Sequence, residues 1–423
     1  MLHNPKIAVI QFPGSNCELE TARAVERNGM TAEHFRWNEN KSLAGFDGAV
    51  LVGGFSHEDR GRSGLIASKD PLTQEIFKLA QRGGVVFGIC NGAQILVETG
   101  LVPNFEFGKS VLALTRNRRV KDGEVVGEGY FNEWIYVRPQ KTRPNAFNQF
   151  GKETLKIPVA HGEGRFFSQD ADLIAKIVDE NLNAFVYCDA EGNISPEFPT
   201  NPNGSILNLA GVTNSAGNVC ALMPHPERTT AGDPIFRSIK KWLAGKAVKP
   251  AARKIKFAQP ASKISPAPKL NTEFFVKLKI TDNEALSVGR SAGIALDKYR
   301  FFAFDFSGSK SDLEKIIRGG SLLNAEKEDV FVKTKGKVWK FSKDHGFVPA
   351  KLKLPKNRIL ARENEASLDE SRAANLNRQL GQNSVKNFTS GVLWGTDDPQ
   401  AKFEKAVRNN FFHHPAAMNL AKI

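Results

Sequence analysis

The first part of the chain alternates between short apolar runs and helical stretches. Residues 6–10, 46–55 and 83–89 are apolar runs of strand length, and the second of them contains a pair of glycines near its end. Residues 18–28 form a helical stretch, and Leu72–Gln81 is amphipathic. Strands that alternate with helices predict an α/β fold with a mostly parallel central sheet and helices on both faces.

The next part of the chain is richer in strands. From about residue 104 to residue 220, apolar stretches are separated by turn sequences such as DAEGN, NPNG and NSAGN. A helical stretch at 234–243 follows. We therefore expect one domain over residues 1–245, because 423 residues are too many for a single ordinary core.

The chain after residue 245 has a different pattern. Residues 246–271 are rich in Ala, Pro and Lys without a sustained period, which predicts a linker. Beyond it, 301–324 and 391–414 align without a gap at an offset of 90, each as an apolar strand, a polar turn and a helix with Glu-Lys-x-x-Arg. This repeat predicts two small α+β modules, at 272–340 and 350–423.

The net charge of +14 is unevenly distributed along the chain. Residues 1–245 hold 26 Lys and Arg against 27 Asp and Glu, whereas the remaining residues hold 33 against 18. The basic excess therefore belongs to the C-terminal part, where the charges are scattered. A solvated basic surface explains it most simply, and nucleic-acid binding or an acidic protein partner are the alternatives.

The four cysteines are widely spaced and form no CxxC pair: Cys17, Cys90, Cys188 and Cys220. Free thiols in a reducing compartment fit this spacing better than a disulfide framework does. The N-terminal residues lack the pattern of a signal peptide, and no apolar stretch approaches membrane-spanning length. We expect a cytoplasmic protein.

Cys90 stands in FGICNGAQIL (87–96), where an apolar strand leads into a helix. Gly88 and Gly92 leave room for a sharp turn that presents the side chain above the sheet, as in a nucleophile elbow. The amides at the start of the helix, including that of Asn91, would face negative charge beside the sulfur. The alternative is that Cys90 is a small core residue, as most isolated cysteines are.

His225 is the candidate base for this cysteine. It follows an apolar strand in ALMPHPER, and Pro224 and Pro226 bias its backbone away from helix. In an extended segment His225 and Glu227 face the same side, so Glu227 can orient the imidazole. Taken alone, such a His-x-Glu pair is more often a surface turn.

Gly53 and Gly54 end a strand that would share a sheet edge with Cys90. A backbone amide there would be a second oxyanion donor, and the alternative is a tight turn. Together these residues point to acyl transfer from an amide, in which a thiolate attacks, an oxyanion is stabilised and a histidine protonates the leaving nitrogen.

These residues resemble a known family, the class I glutamine amidotransferases, and among them the glutaminase subunits of phosphoribosylformylglycinamidine synthase. The matching motifs cover nearly all of 1–245: FPGSNC (12–17), GGFS (53–56), GICNGAQIL (88–96), AHGEGRF (160–166), NPNGS (201–205) and MPHPER (223–228). The resemblance implies a class I amidotransferase-like fold.

The resemblance also implies roles for single residues. Cys90 would be the nucleophile, with His225 and Glu227 as its partners, and Gln94 would contact the substrate glutamine. A Gly53 or Gly54 amide would form the oxyanion hole with the amide of Asn91. After GGFS the family usually continues with Tyr-Gly-Asp and a Leu-Arg, whereas this chain has HEDRGR (57–62).

The C-terminal modules look like the small subunit of the same synthase. Residues 366–394 are similar to that family's helix and following strand, and 272–340 match less well. The resemblance implies that the chain hydrolyses glutamine, that the modules act as a docking adaptor, and that the ammonia passes to a large ATP-binding synthetase in purine biosynthesis.

The sequence also bears on cofactors and on alternative functions. It contains no Gly-x-x-x-x-Gly-Lys-Ser/Thr loop, so we expect no cofactor or metal in this chain, with ATP and Mg²⁺ used by the partner. A chaperone or protease with a related cysteine elbow is a rival, which the His-x-Glu pair argues against. A non-catalytic scaffold or a nucleic-acid-binding protein using the basic C-terminal region is the other.

Overall fold

The computed structural model describes residues 4–39, 41–104, 108–140, 143–151, 153–245, 264–363 and 366–423. The chain forms two compact units, Met1–Pro260 and Ala261–Ile423. Their boundary falls in the predicted linker, of which residues 246–263 lie outside the described part of the chain. The described helices are too short or too polar to cross a membrane.

The helices of the first unit are α1 (Glu18–Arg27), α2 (Leu65–Ser68), α3 (Leu72–Gln81), α4 (Asn91–Glu98), α5 (Ala171–Asp179) and α6 (Asp233–Leu243). Its strands are β1 (Lys6–Gln11), β2 (Thr31–Arg36), β3 (Gly48–Leu51), β4 (Val85–Ile89), β5 (Ala113–Arg116), β6 (Arg118–Lys121), β7 (Glu124–Glu128), β8 (Phe131–Pro139), β9 (Leu155–His161), β10 (Glu163–Phe167), β11 (Phe185–Cys188), β12 (Leu209–Thr213) and β13 (Val219–Leu222).

Nine of these strands form one sheet in the order β2-β1-β3-β4-β13-β12-β11-β8-β9. The strands from β2 to β13 pair in parallel, and the strands from β13 to β9 pair antiparallel. The antiparallel part corresponds to the strand-rich stretch of the sequence. Every residue of β3, β4 and β13 is buried, so both faces of the sheet are covered, which confirms the predicted α/β class.

The strand and helices around Cys90 follow from the pattern of apolar residues and glycines in their sequences. β4 reads VVFGI, an uninterrupted apolar run of the kind found in buried parallel strands. α3 buries Leu72, Ile76 and Leu79, which recur on one helical face. Gly92 in α4 is required by packing, because a Cβ there would lie 2.0 Å from the carbonyl oxygen of Leu51. α4 therefore packs closely against β3, beside the strand that carries Cys90.

The second unit forms one antiparallel sheet with one parallel edge strand. Its strands are β14 (Ile264–Pro266), β15 (Thr272–Leu278), β16 (Asp297–Phe306), β17 (Glu328–Thr334), β18 (Lys337–Ser342), β19 (Gly346–Pro349), β20 (Asn357–Glu363), β21 (Val385–Thr396) and β22 (Met418–Lys422). Its helices are α7 (Asn283–Ala292), α8 (Lys310–Arg318), α9 (Ala366–Leu380) and α10 (Gln400–Arg408). The strand order is β14-β22-β20-β21-β16-β15-β17-β18-β19.

The order strand, helix, strand, helix, strand occurs twice in this sheet. It runs from β15 to β17 and again from β20 to β22, and the repeats meet where β16 pairs antiparallel with β21. α8 and α10 begin and end at positions that differ by the offset of 90 seen in the sequence. The two predicted modules therefore form one continuous sheet.

Each repeat contributes its first helix to the core of the other repeat. Leu376 of α9 belongs to the same hydrophobic core as Phe274 and Phe304 from the first repeat. Val288 of α7 packs with Ile359 and other residues of the second repeat. The ranges 272–340 and 350–423 thus mark two repeats but not two separate cores, because each repeat buries its sheet under a helix of its neighbour.

The predicted linker also ends earlier than expected. Ile264–Pro266 pair in parallel with Leu420–Lys422 of β22 as an edge strand. An edge strand tolerates proline, because one side of its backbone has no strand partner. Residues 264–266 therefore belong to the second unit, although their composition predicts a linker.

Candidate active site

Cys90 lies at the turn between β4 and α4, in the strained conformation expected of a presented nucleophile. Its φ of 51° and ψ of −108° are rarely adopted by residues other than glycine, at a cost of about 1–3 kcal/mol. The side chain is 4% exposed and its Sγ lies 3.7 Å from the carbonyl oxygen of Ala160. The thiol is thus enclosed at the carboxyl end of the strand.

His225 and Glu227 form a buried pair after β13, the strand next to β4. His225 Nδ1 and Glu227 Oε1 are 2.6 Å apart, and both residues are 1% exposed. The backbone N–H of His225 donates to the carbonyl of Pro158 at 2.8 Å, which fixes the segment against β9. The Nε2 side of the ring faces the two thiols, because the side chains of Cys17 and Cys90 both interact with His225 and no other side chain bonds Nε2 among the described residues.

Gly53 is the point at which these residues meet. A Cβ built on Gly53 would lie 2.8 Å from His225 Cε1, 3.1 Å from Cys17 Sγ and 3.4 Å from Cys90 Cβ. Only glycine leaves this space open. The structure therefore brings together Cys90, His225 and the Gly53–Gly54 turn, which are distant in the sequence.

The charges of the site act most strongly on the His225 imidazole. Burial alone would lower its pKa, but the Glu227 carboxylate and the sulfur of Cys90 outweigh burial and raise the pKa of His225 well above its usual value. A raised pKa favours the protonated form of the His225 imidazole beside the Cys90 side chain.

The predicted oxyanion donors lie beside the thiol. Asn91 is the first residue of α4, directly after Cys90, and its side-chain Oδ1 accepts the backbone N–H of Ser56 at 3.0 Å. That contact joins the start of α4 to the loop after Gly54. The assignment of the Gly53 or Gly54 amide and the Asn91 amide as oxyanion donors stays a prediction.

Gln94 is 4% exposed and bonded at both ends of its amide. Its Oε1 accepts from Asn91 Nδ2 at 2.8 Å, and its Nε2 donates to the carbonyl of Glu163 at 2.5 Å. The side chain thereby connects α4 with β10. Its predicted contact with substrate glutamine stays a prediction.

The unusual loop at 57–62 packs onto α4. His57, Glu58 and Asp59 have φ of 50°, 59° and 54°, three successive left-handed residues. Arg62 donates twice to the Glu98 carboxylate at the end of α4, at 2.6 and 2.7 Å. This paired contact anchors the loop beside the candidate site.

Several further residues at the site were not predicted from the sequence as functional. His161 is buried, and burial together with the charge of His225 lowers its pKa to about 3, so it is neutral. Burial and the nearby Glu163 carboxylate raise the pKa of Asp59 to about 7. Burial also raises the pKa of Glu163.

Cys17 and Arg228 complete this group. Arg228 Nη2 donates to Cys17 Sγ at 3.1 Å. Cys17, His161, Glu163 and Arg228 all stand inside the motifs FPGSNC, AHGEGRF and MPHPER, so their presence in those motifs was the available signal. Cys17, His225 and Glu227 also offer three atoms within 4.8 Å of one another, but the Arg228 guanidinium, a cation, already contacts this cluster.

Residues 4–245 match the CobB/CobQ-like glutamine amidotransferase domain. The chain belongs to this family of glutamine amidotransferases. The chain is similar to "Phosphoribosylformylglycinamidine synthase subunit PurQ" of Methanothrix thermoacetophila. The two sequences are 46% identical over 228 residues, which cover 53% of this chain and 86% of that protein. The protein of the same name from Chlorobium chlorochromatii is 38% identical over 251 residues, 56% of this chain and 97% of that protein.

A solved structure named "Structure of PurLQS from Thermotoga maritima" contains a chain 31% identical to this amidotransferase. The match covers 57% of this chain and 100% of that chain, with a TM-score of 0.45. The family match ends at residue 245, so the second unit lies outside it. Membership of the amidotransferase family thus applies to the unit that contains Cys90.

Proposed function

We propose that residues 1–245 hydrolyse glutamine to glutamate and ammonia through Cys90, His225 and Glu227. The observation that supports this most directly is the meeting of Cys90, His225 and Gly53 at one point above the sheet, with Glu227 Oε1 2.6 Å from His225 Nδ1. A strained cysteine at a helix start beside a protonated histidine is suited to attack on a carboxamide.

In the first half of the reaction, the Cys90 thiolate attacks the carboxamide carbon of glutamine and a C–S bond forms. The oxygen takes up the negative charge and would be stabilised by the amides at Gly54 and Asn91. His225 then donates its proton to the nitrogen, the C–N bond breaks, and ammonia leaves a γ-glutamyl thioester on Cys90. Glu227 holds the ring so that Nε2 faces the reacting atoms.

In the second half, neutral His225 removes a proton from water. The resulting hydroxide attacks the thioester carbon, the C–S bond breaks, and glutamate leaves with the thiolate restored. The sum is glutamine and water to glutamate and ammonia, with no cofactor or metal required in this chain.

We further propose that the ammonia serves the synthase named in the relatives. A separate ATP-binding synthetase would use it to convert formylglycinamide ribonucleotide to formylglycinamidine ribonucleotide in purine biosynthesis, in the cytoplasm. Ammonia released into neutral water becomes protonated and loses its nucleophilic lone pair, so direct transfer within a complex is the efficient arrangement. The second unit would act as the docking adaptor, which its separate core and its net excess of Lys and Arg allow.

A reconstituted complex tests this division of labour. We expect Cys90→Ala to abolish amidine formation with glutamine as the nitrogen source and to leave amidine formation with ammonium salts intact. Cys188→Ala, which removes another buried thiol, is the matched control and should retain both activities. Loss of both activities in Cys90→Ala, or retention of both, contradicts the proposal.

The adaptor role needs a separate measurement. We expect the full chain to bind the synthetase more weakly when basic residues of the second unit are replaced. Unchanged affinity in such variants, with an intact fold, would contradict docking through the second unit.

A further inference from the structure

The contact between Cys17 and Arg228 has no part in the reaction just described. Cys17 lies directly before α1 and is 1% exposed, and its Sγ accepts a hydrogen bond from Arg228 Nη2 at 3.1 Å. The two residues are 211 positions apart in the sequence. This contact joins the segment before α1 to the segment that carries His225 and Glu227.

The backbone at Cys17 orients the peptide between Gly53 and Gly54. The N–H groups of Asn16 and Cys17 donate to the carbonyl of Gly53 at 3.0 and 3.3 Å. This peptide bond is trans, so its carbonyl and the N–H of Gly54 point in opposite directions. The segment directly before α1 therefore fixes the direction of the Gly54 N–H, one of the candidate oxyanion donors.

The side chain of Arg228 acts on the other half of the site. Its Nε lies 3.9 Å from Glu227 Oε1, the oxygen bonded to His225 Nδ1. Glu227 has no exposed side-chain surface, so solvent does not screen its charge. The guanidinium therefore offsets part of the attraction between the carboxylate and a protonated imidazole, and an imidazolium that is held less tightly gives up its proton more readily.

We propose that Cys17 and Arg228 are positioning residues that hold the oxyanion peptide and the His225–Glu227 pair in register. Cys17 fixes the guanidinium through its sulfur and the Gly53–Gly54 peptide through its N–H. Arg228 keeps His225 able to exchange its proton. The proposal rests on the proposed function. Neither residue forms or breaks a bond to the substrate in it, although the Cys17 side chain also hydrogen-bonds the His225 side chain.

The other groups around His225 allow the sign of an Arg228 substitution to be stated. His161 on β9 is neutral, and Arg27 on α1 donates to the carbonyl oxygen of Glu227 at 3.4 Å, not to its carboxylate. The titratable groups that act on His225 are Glu227, Cys90 before α4, Cys17 before α1, and His161 on β9. Those that act on Arg228 are Cys17, Glu227 and Glu20 of α1. Removal of the guanidinium takes one cation away from the Glu227 carboxylate, so the His225 imidazolium becomes more stable.

The test is the pH profile of glutamine hydrolysis by the full chain in complex with its synthetase. We expect Arg228→Met to lower kcat about tenfold, with KM changed less than about threefold, because orientation is lost and substrate contacts are kept. The basic limb of kcat/KM, which reports loss of the imidazolium proton, should move to higher pH. Arg228→Lys, which keeps the charge, should restore most of that shift.

Cys17 is tested through its coupling to Arg228. We expect Cys17→Ala to lower kcat as well, and the double variant with Arg228→Met to be little worse than the poorer single variant, since both remove the same contact. Cys17→Ser, which keeps an acceptor, should be less impaired than Cys17→Ala. Arg237→Met, which removes an exposed arginine of α6, is the control and should behave as the unmodified chain.

The outcomes separate this proposal from the proposed function. An unmodified complex that does not hydrolyse glutamine contradicts the proposed function itself. An active complex in which Arg228→Met loses thermal stability but keeps the basic limb in place contradicts the positioning role. Losses in kcat that multiply in the double variant contradict the coupling. If Arg228→Met does not fold, Arg228→Gln is expected to show the same direction of shift.

Discussion

The two units bury different kinds of groups. In the first unit, titratable side chains with displaced pKa values lie together at one sheet edge, where His161 and His225 are buried and Glu163 is partly buried. In the described part of the second unit, the core is aromatic, and Phe304 packs on Phe274, Phe306 and Phe388. Burial of ionisable groups opposes stability and is found where chemistry occurs, whereas aromatic packing favours stability.

Among the described residues of the second unit, burial raises the pKa of the buried Tyr299 hydroxyl, and other displaced pKa values belong to groups in hydrogen bonds and ion pairs. The pKa of Asp312 is held far below its usual value by hydrogen bonds that Ser309, the N-cap residue of α8, donates to its carboxylate in a capping box. Lys343 and Glu326 form a surface ion pair, which raises the pKa of Lys343 and lowers the pKa of Glu326. These are structural arrangements on the surface. Substitutions at the buried charged groups of the first unit and in the aromatic core of the second unit should therefore differ in what they change.

The largest effect on activity is expected from Glu227→Gln. The amide keeps the volume of the side chain but loses the charge, so the pKa of His225 falls and the ring loses its fixed tautomer. We expect glutamine hydrolysis to slow by about 10²–10⁴-fold, as for other triads that lose their carboxylate. Steady-state kinetics measure this, with Glu26→Gln on the exposed side of α1 as the control.

A Glu227→Gln variant with near-normal kcat would show that the buried carboxylate does not serve His225. Burial of charged groups in the first unit would then not be explained by catalysis.

Phe304→Ala, in the second unit, should lower stability rather than activity. The ring is fully buried among three other phenylalanines, so its removal should destabilise the second unit by about 3–5 kcal/mol. Denaturant unfolding followed by probes in each unit measures the loss. Ile280→Ala, at a position that is 76% exposed, is the control. Slower alkylation of Cys90 by iodoacetamide in Phe304→Ala would contradict the view that the cores are separate.

Leu376→Ala tests the exchange of helices between the repeats. Leu376 belongs to the second repeat but packs in the core of the first, so we expect a loss of about 2–4 kcal/mol. Hydrogen exchange should then increase in β15 and β16, the strands beneath it. Leu286→Ala on α7, at a half-exposed position, is the control. Faster exchange confined to the second repeat would contradict the exchanged arrangement.

The smallest effect is expected from Asp59→Asn. Burial and Glu163 raise the pKa of Asp59 to about 7, so in the wild type this group costs stability increasingly as pH rises from its unfolded pKa near 4 toward 7. Asn does not ionise. We expect its advantage to be small at pH 4 and to reach about 1–2 kcal/mol at pH 8, seen as a higher Tm.

The control for this prediction is Asp179→Asn, at an exposed position at the end of α5. An Asp59→Asn variant whose Tm gain is the same at pH 4 and pH 8 would mean that the carboxyl group ionises normally in the fold.

How far the sequence predicts this molecule depends on whether a feature is local. The strand before Cys90, the strained turn and the following helix were predictable, because an apolar run and two glycines specify them within ten residues. The family resemblance predicts a helix and a following strand in 366–394, but not that this helix, α9, covers the other repeat. The pairing of Ile264–Pro266 with β22 uses backbone groups alone, so composition gave no sign of it.

The candidate site shows the same division. Cys90, His225 and Glu227 were predicted from residue types that carry chemistry and from the family resemblance. The roles inferred for Cys17 and Arg228 depend on a contact across 211 positions, which no local pattern specifies. The displaced pKa values of Asp59 and Glu163 likewise arise from burial in the folded chain.

The measurement that tests the central claim most directly is the capture of the acylated enzyme. The full chain with its synthetase is mixed with glutamine, quenched in acid within its first turnover, digested and analysed by mass spectrometry. The account predicts a γ-glutamyl group on the peptide that contains Cys90, and none on the peptides that contain Cys17, Cys188 or Cys220. Glutamine turnover with an unmodified Cys90 peptide, or a glutamyl group on another cysteine, would contradict it.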